Sequence, residues 1–347
     1  MSSPFNFSAT LNQLLAGQNL DYAVTRQAFE ELLHGRLTSA QVAGLLIALR
    51  LKGETVDEVA AAAQVMRDLV TPVVLPVDLP VVDLCGTGGD GAHTFNISTA
   101  SMFVLAAAGA KVAKHGGRSV SSSSGSADVL EYMGVNINLT PEQVAQSIQT
   151  VGVGFMFAPN HHSAMRFAGP VRKELGVRTV FNILGPLTNP ALARRQVMGV
   201  YSANLLDLQA QVLARLGSSR ALIVHGDNGM DELCIECDSQ IAELDQGQVR
   251  RYRIKPEDFG LTRASHDVLR AHSVAESAEK IQMALRGEGG AIADIVLLNA
   301  AAGLYTAGLV QTLGQGVELA RATVASGAGL KALQTLADFS QSLPKAS

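Results

Sequence analysis

Through the first 75 or so residues, apolar positions recur at helical spacing and at no other. Val42, Leu45, Leu46 and Leu49 fall on one face of a helix opened by a Thr38/Gln41 capping box. A second box, Thr55 with Glu58, opens a helix whose inner face carries Val59, Ala63, Met66 and Val70. Gly53 is a natural stop for the first helix, and Pro72 for the second. Apolar stripes of this kind must pack on each other or on a second subunit. The pattern therefore predicts a small helical domain over residues 1–75.

The period changes after Pro76. Short apolar runs at residues 81–84, 110–113, 153–158 and 221–225 have the length of buried strands. Helical stretches lie between them: one capped by Ser98 or Thr99 and running to Ala108, one over 128–133, and one from Thr140-Pro141 with Val144, Ile148 and Val151 inward. This alternation predicts an α/β domain over residues 76–347, with a mainly parallel sheet flanked by helices. Asp245-Gln246-Gly247 marks a local hairpin within 241–254, and residues 294–307 form an apolar, Ala-rich buried helix. Residues 232–235 read as strand, which would point Cys234 and Cys237 of the Cys-Ile-Glu-Cys segment to opposite faces.

Composition narrows the function classes. The 347 residues are 47% hydrophobic, enough for a substantial core. A net charge of -4 with no basic stripe argues against nucleic acid as a partner. No apolar run approaches the ~20 residues of a membrane span, and the first residues lack the pattern of a signal peptide. Three cysteines, an odd and sparse number, suit a reducing cytoplasm, and one Cys-x-x-Cys without a second pair cannot complete a zinc site.

Four segments carry chemistry. Gly86-Thr87-Gly88-Gly89-Asp90-Gly91 follows a strand and can bring bare backbone N–H groups to an anion; Asn96-Ile97-Ser98-Thr99 then opens a helix whose N-terminus favours phosphate. It matches neither the P-loop nor the dinucleotide pattern. Lys114-His115-Gly116-Gly117-Arg118-Ser119, just past another strand end, should face the same crevice, with Ser121, Ser122 and Ser126 following. Asp231-Glu232, in the loop after a third strand, suits a hard cation such as Mg²⁺ completed by phosphate oxygens. Asn160-His161-His162 suits contact with an aromatic ligand better than metal ligation, and Arg172 can clamp a carboxylate.

With Asp83-Leu84-Cys85 running into the glycine loop, with Lys114-His115-Gly116, and above all with the run Arg178-Thr179-Val180-Phe181-Asn182-Ile183-Leu184-Gly185-Pro186-Leu187-Thr188-Asn189-Pro190, the chain resembles the anthranilate phosphoribosyltransferases over most of its length. The resemblance implies transfer of the 5-phosphoribosyl group from phosphoribosyl pyrophosphate to anthranilate in tryptophan biosynthesis. It also implies a homodimer, and a helical domain completed by a later piece near 170–190, with the active site at the hinge. It assigns the donor to Gly86, Gly89, Asp90, Thr94, Asn96, Ile97, Ser98 and Thr99, and to the turn Lys114, His115, Gly116, Gly117, Arg118, Ser119, Val120, Ser121, Ser122 and Ser126. Lys114 has the electrostatic role, and no general base is assigned. Mg²⁺ falls to Ser98, Asp231 and Glu232, and anthranilate to Gly86, His115, Gly117, His162 and Arg172. The family's turn reads Lys-His-Gly-Asn-Arg, so Gly117 here replaces an Asn that contacts anthranilate. The alternatives are a pyrimidine nucleoside phosphorylase-like enzyme of the same fold, or a non-catalytic relative binding another partner.

Overall fold

A computed structural model describes residues 5–119 and 124–344 of the chain. Val120, Ser121, Ser122 and Ser123 lie outside the described residues. The N-terminal helices are α1 (Phe7–Leu15), α2 (Tyr22–Leu33), α3 (Ser39–Lys52) and α4 (Val56–Asp68). Both expected capping boxes form, Thr38 with Gln41 at α3 and Thr55 with Glu58 at α4. Glu58 is 1% exposed and does more than cap: its second oxygen accepts the Leu20 N–H, and Lys52 pairs with it at 2.9 Å.

The rest alternates: β1 (Val81–Gly86), α5 (Ile97–Ala107), β2 (Lys111–Gly116), α6 (Ser126–Tyr132), α7 (Pro141–Thr150), β3 (Val153–Phe157), α8 (Ala158–His161), α9 (Gly169–Leu175), α10 (Phe181–Leu184), β4 (Arg195–Gly199), α11 (Leu205–Arg215), β5 (Arg220–Gly226), the hairpin β6 (Ser239–Asp245) and β7 (Gln248–Ile254), then α12 (Val274–Leu285), α13 (Ala291–Ala307), α14 (Leu313–Ala325) and α15 (Ala328–Ser342). The seven strands lie in the order β3-β2-β1-β4-β5-β6-β7. The first five are parallel, and the hairpin continues the sheet antiparallel to β5.

Side-chain alternation along the strands divides the core. Val197, Leu222 and Val224 join the cluster built on α5 and α13, whereas Met198, Val200, Ile223 and Ala242 join the cluster of the N-terminal helices. That second cluster also takes in Ala168, Val171, Val180, Phe181, Ile183, Leu184 and Leu187, from the segment between β3 and β4. The linker after α4 is tied to the same segment. Thr71 N–H donates to the His161 carbonyl at 2.9 Å, and Val73 N–H to the Pro190 carbonyl at 3.0 Å.

Three local expectations differ from the structure. α5 starts at Ile97, with Asn96 rather than Ser98 or Thr99 at the cap position, and Asn96 spends its side chain on Ser124 and Ser277. Lys114, His115 and Gly116 lie within β2, paired with Phe155, Met156 and Phe157 of β3, and not past its end. Residues 232–235 form no strand; the chain bends at 231–232 and again at 235–237.

Candidate active site

All five parallel strands end on one edge, at Phe157, Gly116, Gly86, Gly199 and Gly226. The loops that follow bring most of the expected residues together, as ligand sites at the carboxyl ends of such strands require. The glycine loop and the acidic pair interlock. Gly88 N–H donates to Asp231 Oδ2 at 2.7 Å, and Asp231 N–H to Asp90 Oδ2 at 3.3 Å. A Cβ on Gly86 would lie 2.2 Å from Asp231 Oδ2, and one on Gly199 only 1.5 Å from the Asp231 carbonyl oxygen. The acidic loop can therefore close on β1 and β4 only because both positions are glycine.

Burial, and then the charge of Asp90, push the Asp231 carboxyl well above the usual carboxylate range. Burial and then Asp231 do the same to Glu232, opposed by Lys114 and the Ser98 N–H. Three crowded carboxyl groups beside a hydroxyl make an all-oxygen donor set whose repulsion a hard divalent cation would relieve, so these residues fit Mg²⁺. Lys114 is 2% exposed and buried in β2; its ammonium donates to the Leu84 carbonyl and, at 3.1 Å, to Ser98 Oγ at the start of α5.

Other assignments are placed differently. His115 turns inward, with Nδ1 2.8 Å from Asp83 Oδ2 and Nε2 2.9 Å from the Gly185 carbonyl. Burial alone would lower its pKa, but the Asp83 carboxylate outweighs that and raises it. Both ring nitrogens are thus engaged within the protein. Asp83, Cys85 and His115 bring ligand-type atoms within 4.8 Å of one another, yet the imidazole has no free nitrogen for a metal. Arg118 is drawn away to Asp128 and Glu131, each at 2.9 Å. Ile97 and Thr99 are buried, so only their backbone can meet a ligand. Thr94 bridges to Arg270. Ser126 Oγ packs against Gly116, while a Cβ on Gly117 would meet nothing within 4 Å.

Arg172 lies in α9 and His162 just after α8, both in the segment between β3 and β4. The Arg172 guanidinium lies 5.3 Å over the Phe181 ring and has no ion-pair partner among the described residues. Burial pulls its pKa below the ordinary arginine value. His162 is kept neutral: burial, then the charge of His115, lower its pKa to about 3, and its Nε2 is buried without a partner among the described residues. Three contributors escape sequence reasoning. Asp83 could have been found as a charge inside an apolar strand run, and Gly199 as a glycine at a strand end. Arg178 reaches the Gly89 carbonyl with its guanidinium 4.0 Å over Tyr201, and it carries no local signal of that role.

The chain matches two family models: the glycosyl transferase family a/b domain over residues 78–330, and the helical bundle domain of the same family over residues 8–70. It is 58% identical to the anthranilate phosphoribosyltransferase of Leptothrix cholodnii over 315 residues, 91% of each chain. It is 52% identical to that of Chromobacterium violaceum over 96% of this chain and 98% of the relative. The crystal structure of the Thermus thermophilus anthranilate phosphoribosyltransferase superposes with a TM-score of 0.90 at 42% identity, covering 96% of this chain and 99% of that one. The Saccharomyces cerevisiae enzyme in complex with phosphoribosyl pyrophosphate and magnesium superposes at 0.88 with 27% identity, covering 98% and 99%. With the sheet edge, the glycine loop and the acidic pair in place, these likenesses establish that the chain belongs to the anthranilate phosphoribosyltransferase family.

Proposed function

We infer that the chain transfers the 5-phosphoribosyl group from phosphoribosyl pyrophosphate to the amine of anthranilate, giving N-(5-phosphoribosyl)anthranilate and pyrophosphate in tryptophan biosynthesis. The observation that carries this reading is the interlock of the glycine loop with Asp231, beside Lys114 and Ser98, on the carboxyl edge of the sheet. The reaction breaks the bond from the sugar C1 to pyrophosphate and makes one from C1 to nitrogen. Positive charge grows on the sugar and negative charge on the leaving group. The glycine-loop amides, the N-terminus of α5 and the Lys114 ammonium are fixed where that negative charge develops, which lowers the barrier without reorganisation. Mg²⁺ held by Ser98, Asp231 and Glu232 would supply further neutralisation of the pyrophosphate. The anthranilate amine is neutral at ordinary pH and needs no base before it attacks. Arg172 receives the anthranilate carboxylate, with His162 as a neutral wall. Gly86, Gly89, Asp90 and Asn96 line the donor side.

We also propose the division into a helical unit of residues 1–75, completed near 170–190, and an α/β unit of 76–347, as supported by the shared cluster of α1–α4 with α9 and α10. Homodimerisation through the helical unit is supported by the exposed Leu15 and Leu51. No helix among the described residues is long and apolar enough to cross a membrane. A cytoplasmic setting is supported by three free cysteines. The test is loss of anthranilate fluorescence with purified protein. Signal loss that requires both phosphoribosyl pyrophosphate and Mg²⁺ is the expected result; loss without the donor, or none at high anthranilate, would overturn the reading.

A further inference from the structure

The Cys-Ile-Glu-Cys segment is not used by the reaction, yet it closes the loop that carries Asp231 and Glu232. That loop is pinned on both sides. Asn299 from the buried helix α13 accepts the Leu233 N–H at 3.0 Å and donates to the Leu233 carbonyl at 3.0 Å, and Ser239 Oγ accepts the Cys234 N–H at 2.9 Å. The bend at 235–237 then folds the chain back over Cys234. The amides of Glu236 and Cys237 point at Cys234 Sγ from 3.2 and 3.3 Å, and the two sulfurs stand 2.9 Å apart. A disulfide needs about 2.05 Å, so less than about 1 Å of closure separates the pair from a bond. Cys234 is buried and Cys237 partly buried, which gives an inner and an outer thiol. The third cysteine, Cys85, is sequestered in β1 against Gln196.

We propose that Cys234 and Cys237 are a reversible thiol-oxidation site, forming a disulfide by exchange with a low-molecular-weight disulfide, and that this bond stiffens the acidic loop and shifts its response to Mg²⁺. The outer Cys237 thiolate attacks the small disulfide, forming a mixed disulfide and releasing one small thiolate. Cys234 then attacks Cys237 Sγ, forming the internal bond and releasing the second. The protein dithiol loses two electrons and two protons, and the small disulfide gains both as two thiols. The site itself rests on geometry alone; its effect on catalysis rests on the cation role proposed above for Asp231 and Glu232.

The test begins with the reduced full-length chain exposed to excess oxidised glutathione, followed by thiol counting, intact mass and peptide mapping. The expected result is a fall from three free thiols to one, a mass loss of about 2 Da and a mapped Cys234–Cys237 link. Cys234→Ser should stop at a glutathione adduct on Cys237. Three thiols persisting in the wild type, or a bond between two chains, would overturn the site. Apparent Mg²⁺ affinity is then compared between oxidised and reduced protein, with a shift of about threefold or more expected in the wild type and none in Cys237→Ser. An internal disulfide with unchanged Mg²⁺ response would overturn the control of the loop. Because the thiol count needs no turnover, absence of transferase activity would be distinguishable from absence of the disulfide.

Discussion

Arg172 is half-buried and faces an aromatic ring, with no carboxylate to answer its charge among the described residues. A guanidinium so placed is poised to accept a carboxylate from outside. Arg172→Ala should raise the KM for anthranilate about 10- to 100-fold, the equivalent of ~1.5–3 kcal/mol for a lost bond to a charged group, with little effect on the donor KM. Steady-state titration of each substrate decides it, and an equal rise in both would remove the carboxylate role. Gly117 is the converse case: a side chain there has open space. Gly117→Asn should fold with an unchanged melting temperature and lower the anthranilate KM by about tenfold, since one charge-assisted bond is added. A KM that stays put would mean that backbone or water already makes the contact.

The Asp83–His115 pair gives a pH signature. A raised folded pKa means that the folded state holds the His115 proton more tightly than the unfolded chain does. The stabilisation is therefore complete below about pH 6.5 and is lost as pH rises through the folded value. Asp83→Asn should cost ~3 kcal/mol at the acid end of that window, because it leaves a buried charge unpaired, and should flatten the decline of melting temperature towards alkaline pH. Denaturation followed from about pH 6 to 9 would reveal a persistent decline if some other group were responsible.

At the scale of elements, the decisive contact is β4 against the acidic loop. Gly199→Ala sets a Cβ against backbone that cannot rotate away. The loop must shift, and turnover should fall by about 100-fold or more while the far-UV spectrum is retained. A variant with wild-type Mg²⁺ dependence would show that Asp231 does not position the cation. The same contact marks how far the sequence could be read. The runs that became β1, β2, β3 and β5 are apolar and bounded by turn residues, and the capping boxes of α3 and α4 and the Thr140-Pro141 start of α7 are local chemistry, so all were legible. β4 opens with Arg195 and Gln196, and the packing that makes it a strand comes from β1 and β5 on either side. Glu232 to Ile235 has strand-like composition, but Asn299, 66 positions from Leu233 in the chain, takes the hydrogen bonds of Leu233 and leaves the segment to bend. The glycine loop and the acidic pair could be picked out because each follows a strand, and Lys114 because it precedes the glycines that end one, although it lies inside β2. The inward turn of His115 could not, because it depends on Asp83 and Gly185 meeting in space.

For the whole molecule, the N-terminal helices share their core with Ala168, Val171, Val180, Phe181 and Leu184, which lie between β3 and β4. Arg67 ties the same parts together through the Leu187 carbonyl at 2.7 Å, and reaches the end of α11 through the Leu216 carbonyl at 3.2 Å. A fragment of residues 1–75 should therefore show no cooperative melting transition, whereas the full chain melts as a unit; calorimetry of both would expose an autonomous helical bundle if one existed.

The placement of α9 and α10 also sets a timetable. Between Met66, near the end of the fourth helix, and Leu187, the last residue that the segment between β3 and β4 adds to their common core, the ribosome must add roughly 120 residues, which at roughly 5–20 residues per second takes about 6–24 s. For that interval the first-made helices leave the exit tunnel with bare apolar faces. They wait on strands still being synthesised, and through that wait the nascent chain carries apolar surface that the finished protein hides.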